Sequence, residues 1–242
     1  MTITKNTQTA SPFLTIVCCQ HGNEPFGKDI FNLFASQIHE FPGLQLILAN
    51  EEALAIDKRG VEGDLNRSFP GNQNGNHEAR LAYHILPLLQ SSRYVLDVHT
   101  SVSSCGFLVP IIAKQNASTE SIINLLDESN IVLVKPPLAD TSLIGNVEGG
   151  LSLEFQKTLA DERALQTTMN LVRGLYAKTK RPPQDREVFV VTGILPKELL
   201  LPPDAKDFTF IPEHNLYPVL LKEASYMGNQ GLMATEKYNV HI

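Results

Sequence analysis

The sequence predicts an α/β fold: a mixed, mainly parallel sheet flanked by helices over residues 1–180, then a small β-rich C-terminal subdomain over residues 181–242. Three observations lead there. Apolar runs alternate with stretches of helical periodicity as far as residue 178, the pattern of strands joined by crossover helices. Several of those runs stop at an ionisable residue, and open α/β sheets gather their ligand sites at strand ends. Beyond residue 185 the helical periodicity is gone, and proline-rich turns separate short strand-like segments.

Residues 1–11 are polar and read as a frayed tail. Residues 14–19 form an apolar, partly β-branched run, which marks a buried strand. Cys18 and Cys19 fall inside it, on opposite faces, as small buried residues. The run ends at His21-Gly22-Asn23-Glu24, where Gly22 allows a sharp turn. Phe31, Phe34, Ala35 and Ile38 recur at helical spacing and mark an amphipathic helix over 27–40, closed by Pro42-Gly43. Residues 44–49 are a second strand.

Residues 50–76 form a long polar segment carrying Arg59 and Asp64-Leu65-Asn66-Arg67-Ser68-Phe69. A loop of that length in a compact domain is functional or disordered, and its dense order-promoting residues favour function. Residues 78–90 form a helix, with Leu81, Ile85, Leu88 and Leu89 on one face and a bend or late break at Pro87. Residues 94–99 are a third strand ending at His99. Asp97, two positions earlier, lies on the same side and could fix an imidazole tautomer. A polar loop (100–104), a strand (106–112), a short helix (119–129), a strand (131–135) and a loop (138–146) follow. Residues 151–155 are a short strand carrying Glu154 among apolar neighbours. A helix over 159–178, a linker at Arg181-Pro182-Pro183-Gln184 and a strand over 187–193 complete the pattern.

His21 and Glu24, three residues apart on a turn, can converge on one ion. With His99 they make a His₂Glu set, a known catalytic zinc shell with one position left open. Glu154 is then a candidate base. Each feature alone has a plainer reading: a surface histidine beside a solvated glutamate, an ordinary turn at Asn66-Arg67, a structural carboxylate at Glu154.

Composition narrows the partners. The 242 residues are 43% hydrophobic and 19% charged, with a net charge of -6 and a pI near 5.6. A nucleic-acid partner would need a basic face, so none is expected. A small anionic substrate would need local arginines. No apolar run approaches the ~20 residues of a membrane span, and the first residues lack the apolar core of a signal peptide. Three cysteines, two of them adjacent, do not make a disulfide framework, so a reducing, cytoplasmic compartment is expected. The oligomeric state is left open.

The ordered set His21-Gly22-Asn23-Glu24, Asp64 to Phe69, Asp97-Val98-His99-Thr100, Glu154, Tyr217-Pro218-Val219 and Glu223-Ala224-Ser225-Tyr226 resembles the zinc carboxypeptidase superfamily, and within it the aspartoacylase/succinylglutamate desuccinylase family. The resemblance implies one Zn²⁺ per chain, held by His21, Glu24 and His99. It implies that Arg59 polarises the scissile carbonyl, that Asn66 and Arg67 clasp a substrate carboxylate, and that Glu154 is the general base. Tyr226 would reach the substrate from the C-terminal subdomain. The expected reaction is hydrolysis of the amide of an N-acyl amino acid or a similar small carboxylate-bearing amide. A carboxypeptidase acting on short peptides, or an inactive binding module of the same fold, would present the same residues. Three departures bear on substrate. Ile144 stands where aspartoacylases carry an arginine upstream of the base, and residues 136–153 hold no Arg or Lys. Gln230 replaces a lysine, and Phe155-Gln156-Lys157 replaces Gly-Pro-Gln. Together they weaken the expectation of aspartate or glutamate as the amine product.

Overall fold

A computed structural model describes residues 1–9, 11–223 and 230–242. Its strands are β1 (Thr2–Lys5), β2 (Leu14–Cys18), β3 (Leu44–Leu48), β4 (Tyr94–Ser101), β5 (Leu108–Ile112), β6 (Asn130–Val134), β7 (Gly150–Gln156), β8 (Asp185–Leu195), β9 (Tyr217–Val219) and β10 (Gly231–His241). Its helices are α1 (Phe26–Ser36), α2 (Glu51–Ala55), α3 (His77–Gln90), α4 (Ala117–Ile123) and α5 (Glu162–Tyr176). The strands form one sheet in the order β1-β3-β2-β4-β7-β5-β6-β8-β10-β9. The centre, β3-β2-β4-β7, is parallel, and so are β5-β6 and β6-β8. Antiparallel contacts join β5 to β7 and build both margins. The expected mixed α/β sheet is present, with parallel pairings ahead by five to four.

The central strands are buried on both faces, which explains their continuous apolar runs. Leu14, Ile16, Leu96, Val98, Leu151, Leu153 and Phe155 point to one face, where α1 and α5 cover them through Ile30, Phe34, Leu171 and Val172. Val17, Val95, Val109 and Ile111 point to the other, in one cluster with Ala82, Ile85 and Leu89 of α3 and with Leu143 and Ile144 from the turns before β7. Strand residues alternate faces, so Asp97 and His99 of β4 and Ser152 and Glu154 of β7 all belong to this second face. Their register confirms it: Asp97 lies opposite Ser152, and His99 opposite Glu154.

Several local expectations change. Residues 2–5 are an edge strand on β3, not a frayed tail. That strand is held by backbone ladder bonds and buries little, so it leaves no apolar signature. Cys19 lies outside the strand at φ 54°, which breaks β2 and turns both cysteines into the same core rather than to opposite faces. The segment 50–76 contains α2 and a 3₁₀ turn at Leu65–Arg67. α3 continues through Pro87 without a break. Pro87 and Tyr83 both lie on its exposed side, so the carbonyl that loses its donor there can be solvated. Residues 181–242 contribute two eleven-residue strands to the same sheet, and Leu195, Ile211 and Leu216 form a small cluster beside it.

Candidate active site

The turn after β2 sets the first two donors. Cys19, in the left-handed region, ends the strand and redirects the chain. Gly22 then runs against the backbone of Ala53 and Leu54, closer than any side chain would allow, and its N–H donates to Arg59 O at 3.4 Å. This holds His21 and Glu24 beside the end of β4, where His99 projects.

His21 Nδ1 is 2.7 Å from Glu24 Oε1, and His99 Nδ1 is 3.1 Å from Glu24 Oε2. The donor atoms of the three residues lie within 4.8 Å of one another, and all three residues are buried. The outer nitrogens are also engaged. His21 Nε2 is 3.1 Å from Asp64 Oδ1, and His99 Nε2 is 2.8 Å from Asp97 Oδ2. A carboxylate on each Nε2 favours the tautomer with its proton there, leaving the Nδ1 lone pairs turned inward. Two inward imidazole nitrogens and a carboxylate fit a divalent metal ion such as zinc. Gln20 Nε2 donates to the same Asp97 oxygen at 2.7 Å, so Asp97 is held from two sides. Burial pushes the Glu24 carboxyl up, but the charges and hydrogen bonds of His21 and His99 outweigh it and hold it well below the usual carboxylate range.

The polar segment after α2 supplies the cations. Glu78, fully buried at the start of α3, accepts hydrogen bonds from Val61 N, Glu62 N and Asn50 Nδ2, which pins that segment to the domain. Asp64 caps the 3₁₀ turn by accepting from Asn66 N and also takes Arg59 Nε at 2.8 Å. Burial raises its carboxyl, yet His21, Arg59 and Arg67 together hold it low. Arg59 lies 3.7 Å from Glu24 as well, so it stands at the rim of the donor set. Asn66 Oδ1 accepts from Leu143 N at 2.9 Å, which leaves its amide N–H₂ as the group it can offer. Arg67 donates to Asn66 O and sits beside it.

A cavity of about 30 Å³ opens among His21, Glu24, Arg59, Arg67, Glu154 and Glu223. Glu154 enters it from β7, beside His99 in the sheet. Burial, opposed by His99 and reinforced by the charges of Glu24 and Glu223, pushes its carboxyl up to about 7. A carboxyl poised there can both accept and release a proton near neutrality. The sequence-predicted residues His21, Glu24, Arg59, Asn66, Arg67, His99 and Glu154 are therefore brought together. Tyr226 lies outside the described residues. Two participants carried no role in the sequence reading. Asp64, the partner of His21, was visible only as the first residue of the Asp64 to Phe69 motif. Glu223, which accepts from Ser101 Oγ at 2.8 Å and from Val102 N, was visible only as the residue that opens the Glu223 to Tyr226 motif. Gln230 faces elsewhere: its amide donates to the carbonyls of Pro196, Lys197 and Leu199.

A mixed sheet with a buried His-Glu-His donor set at its strand ends, and a raised carboxyl beside it, has the architecture of the zinc carboxypeptidase-like superfamily. The profile of the succinylglutamate desuccinylase/aspartoacylase catalytic domain matches residues 10–142, more than half of the chain. The protein belongs to the succinylglutamate desuccinylase/aspartoacylase family, a family of amide hydrolases. Among solved structures it is similar to murine aminoacylase 3, with a TM-score of 0.78 and 18% identity over 97% of this chain and 98% of that one. It is also similar to the succinylglutamate desuccinylase of Chromobacterium violaceum, with a TM-score of 0.72 and 15% identity over 97% and 86%. A third is the product-bound ectoine utilization protein EutE of Ruegeria pomeroyi, with a TM-score of 0.62 and 16% identity over 99% and 83%. At these identities the likeness is one of fold. No curated protein matches the chain. No helix among the described residues is long and apolar enough to cross a membrane.

Proposed function

We propose that this protein is a zinc-dependent deacylase that hydrolyses the amide bond of a small N-acyl amino acid. The observation that carries the reading is the placing of Glu154 opposite His99 in the β4–β7 ladder, with Arg67 across the same cavity. A base, a metal-type donor set and a carboxylate clamp then surround one small volume.

His21 Nδ1, Glu24 and His99 Nδ1 would hold the zinc ion. When bound, it supplies a Lewis acid for the scissile carbonyl and makes water more acidic. The chain's own groups do the rest. Arg67 presents a planar fork to the substrate carboxylate, a geometry that lysine cannot copy, and the Asn66 amide donates beside it. This fixes the amide against Glu154. The Glu154 carboxylate takes a proton from the attacking water and returns it to the leaving nitrogen. Arg59, balanced by Asp64, donates to the oxyanion as charge develops on it. Tyr226 is proposed to contact the substrate, on the family resemblance alone. The partner is a small anionic molecule, handled in the cytoplasm.

Two measurements test this. Elemental analysis of protein purified without chelators should find one zinc per chain. Turnover should appear with N-acyl amino acids and not with long peptides. Zinc near zero with no activity restored by adding it, or a preference for peptides, would replace this reading with a binding module or a carboxypeptidase.

A further inference from the structure

The cavity at the donor set shares Asn66, Arg67 and Glu154 with a second one of about 50 Å³. Its floor is the second sheet face, formed by Ile111, Val134 and Ser152. Its walls are Leu138 and Ile144, from the turns before β7, and Leu232 of β10. Arg67 and Glu154, at the mouth, are the ionisable groups among its described lining residues. Residues 136–153 and 224–229 contain no Lys, Arg or His, so neither stretch can supply a cation. Ser142 Oγ is committed to its own turn, donating to Ala139 O and accepting from Gly145 N. Ser152 Oγ is unpaired, but one hydroxyl brings no charge.

Arg67 borders both cavities. A substrate whose carboxylate lies on Arg67 and whose amide lies against Glu154 must direct the substituent of the carbon between them into the second cavity. We propose that this cavity receives the amino-acid side chain and selects one that is short, uncharged and aliphatic, between alanine and valine in size. The proposal rests on the deacylase reading and names its substrate class. A volume and a charge support it. An apolar cavity of roughly 150 Å³ holds one six-carbon benzene ring, so a third of that volume holds about two carbons and no phenyl group. A side-chain carboxylate would be desolvated against Ile111, Val134 and Ile144 with Glu154 at the mouth and Arg67 already engaged, an uncompensated burial of charge.

The test uses the zinc-loaded full chain. N-acetyl derivatives of alanine, valine, phenylalanine, aspartate and glutamate are compared by kcat/KM, and binding of the free amino acids is measured by calorimetry. Valine should exceed aspartate, glutamate and phenylalanine by ~10²-fold in kcat/KM, the order a mismatched pocket gives, with the same ranking in binding. Ile144→Arg should shift the ratio toward aspartate at least tenfold, and Leu232→Ala should shift it toward phenylalanine. Either variant, checked by thermal melting for a native fold, suffices. A wild-type preference for an acidic or aromatic side chain overturns the proposal, as does unchanged selectivity in a folded variant. If no N-acetyl amino acid is turned over while valine still outbinds aspartate, the deacylase reading fails and the assignment of the pocket stands.

Discussion

Replacing Gly22 by alanine should separate metal binding from folding. An ideal Cβ at this position comes about 1 Å or more inside the 3.4 Å at which ordinary contact begins, against Ala53 C, Ala53 O and Leu54 N. These are backbone atoms of a helix end, so no side-chain rotation relieves the clash. The chain must move by a comparable distance, and overpacking of this kind costs about 1–3 kcal/mol. The displaced segment is the one that joins His21 to Glu24, while His99 stays fixed in β4. Ligand distances in a metal site tolerate only ~0.2 Å. An error several times larger should weaken zinc binding by ~10²-fold or more, beyond the 10–100-fold cost of losing an outer partner. The assay is a zinc titration with a competing chelator, run beside a thermal melt of the metal-free protein. Gly193→Ala is the control, since its Cβ would meet only the end of Met233 at 3.1 Å. A Gly22→Ala protein that melts with a modest deficit yet binds zinc as tightly as the parent would refute the link between this close approach and the donor geometry.

Other substitutions address the remaining roles. Glu154→Gln should keep zinc and fold but lower kcat by ~10²–10⁴-fold, because the amide cannot accept the proton; loss of zinc in this variant would make Glu154 a ligand instead. Glu154 is raised from 4.5 to about 7 and, as the proposed base, would act when ionised, so kcat/KM should fall as pH drops through its folded value. Zinc's charge would lower that value, so the acid limb should have its midpoint at or below about 7, and a limb that survives in Glu154→Gln belongs to another group. Arg67→Ala should weaken substrate binding by about 2–5 kcal/mol, read as KM rising more than kcat falls. Glu78→Ala should leave three donors without their acceptor and lower stability by about 2–5 kcal/mol in a denaturant titration; a change under ~0.5 kcal/mol would show that the segment bearing Arg59 and Arg67 is held elsewhere.

Much of this was legible in the sequence because the site hangs on apolar strands. His21, His99 and Glu154 each interrupt or end a run whose burial is plain from composition, and the sheet then brings them together. Asp64 was harder to place. It reaches His21 from a polar segment 43 positions away, and no periodicity encodes that path. Edge strand β1 was missed because ladder hydrogen bonds use backbone atoms common to every residue. The left-handed turn at Cys19 was missed because cysteine gives no hint of positive φ, as glycine or asparagine would. Pro87 misled in the opposite direction: its cost depends on whether the carbonyl it orphans faces water, which only the packed helix decides.

The ladder from Val95↔Gly150 to Ser101↔Gln156 has a consequence for how such an enzyme can diverge. His99 and Glu154 take their positions from that lattice, where a slip of one residue would throw Glu154 to the opposite face. Leu138 and Ile144 take theirs from short turns with no register to protect. Reactivity and preference are thus inherited through different parts of the chain. With the roles proposed above, a lineage would exchange the molecule it accepts by trading residues 138–146, while the proton-transfer geometry passed on unaltered.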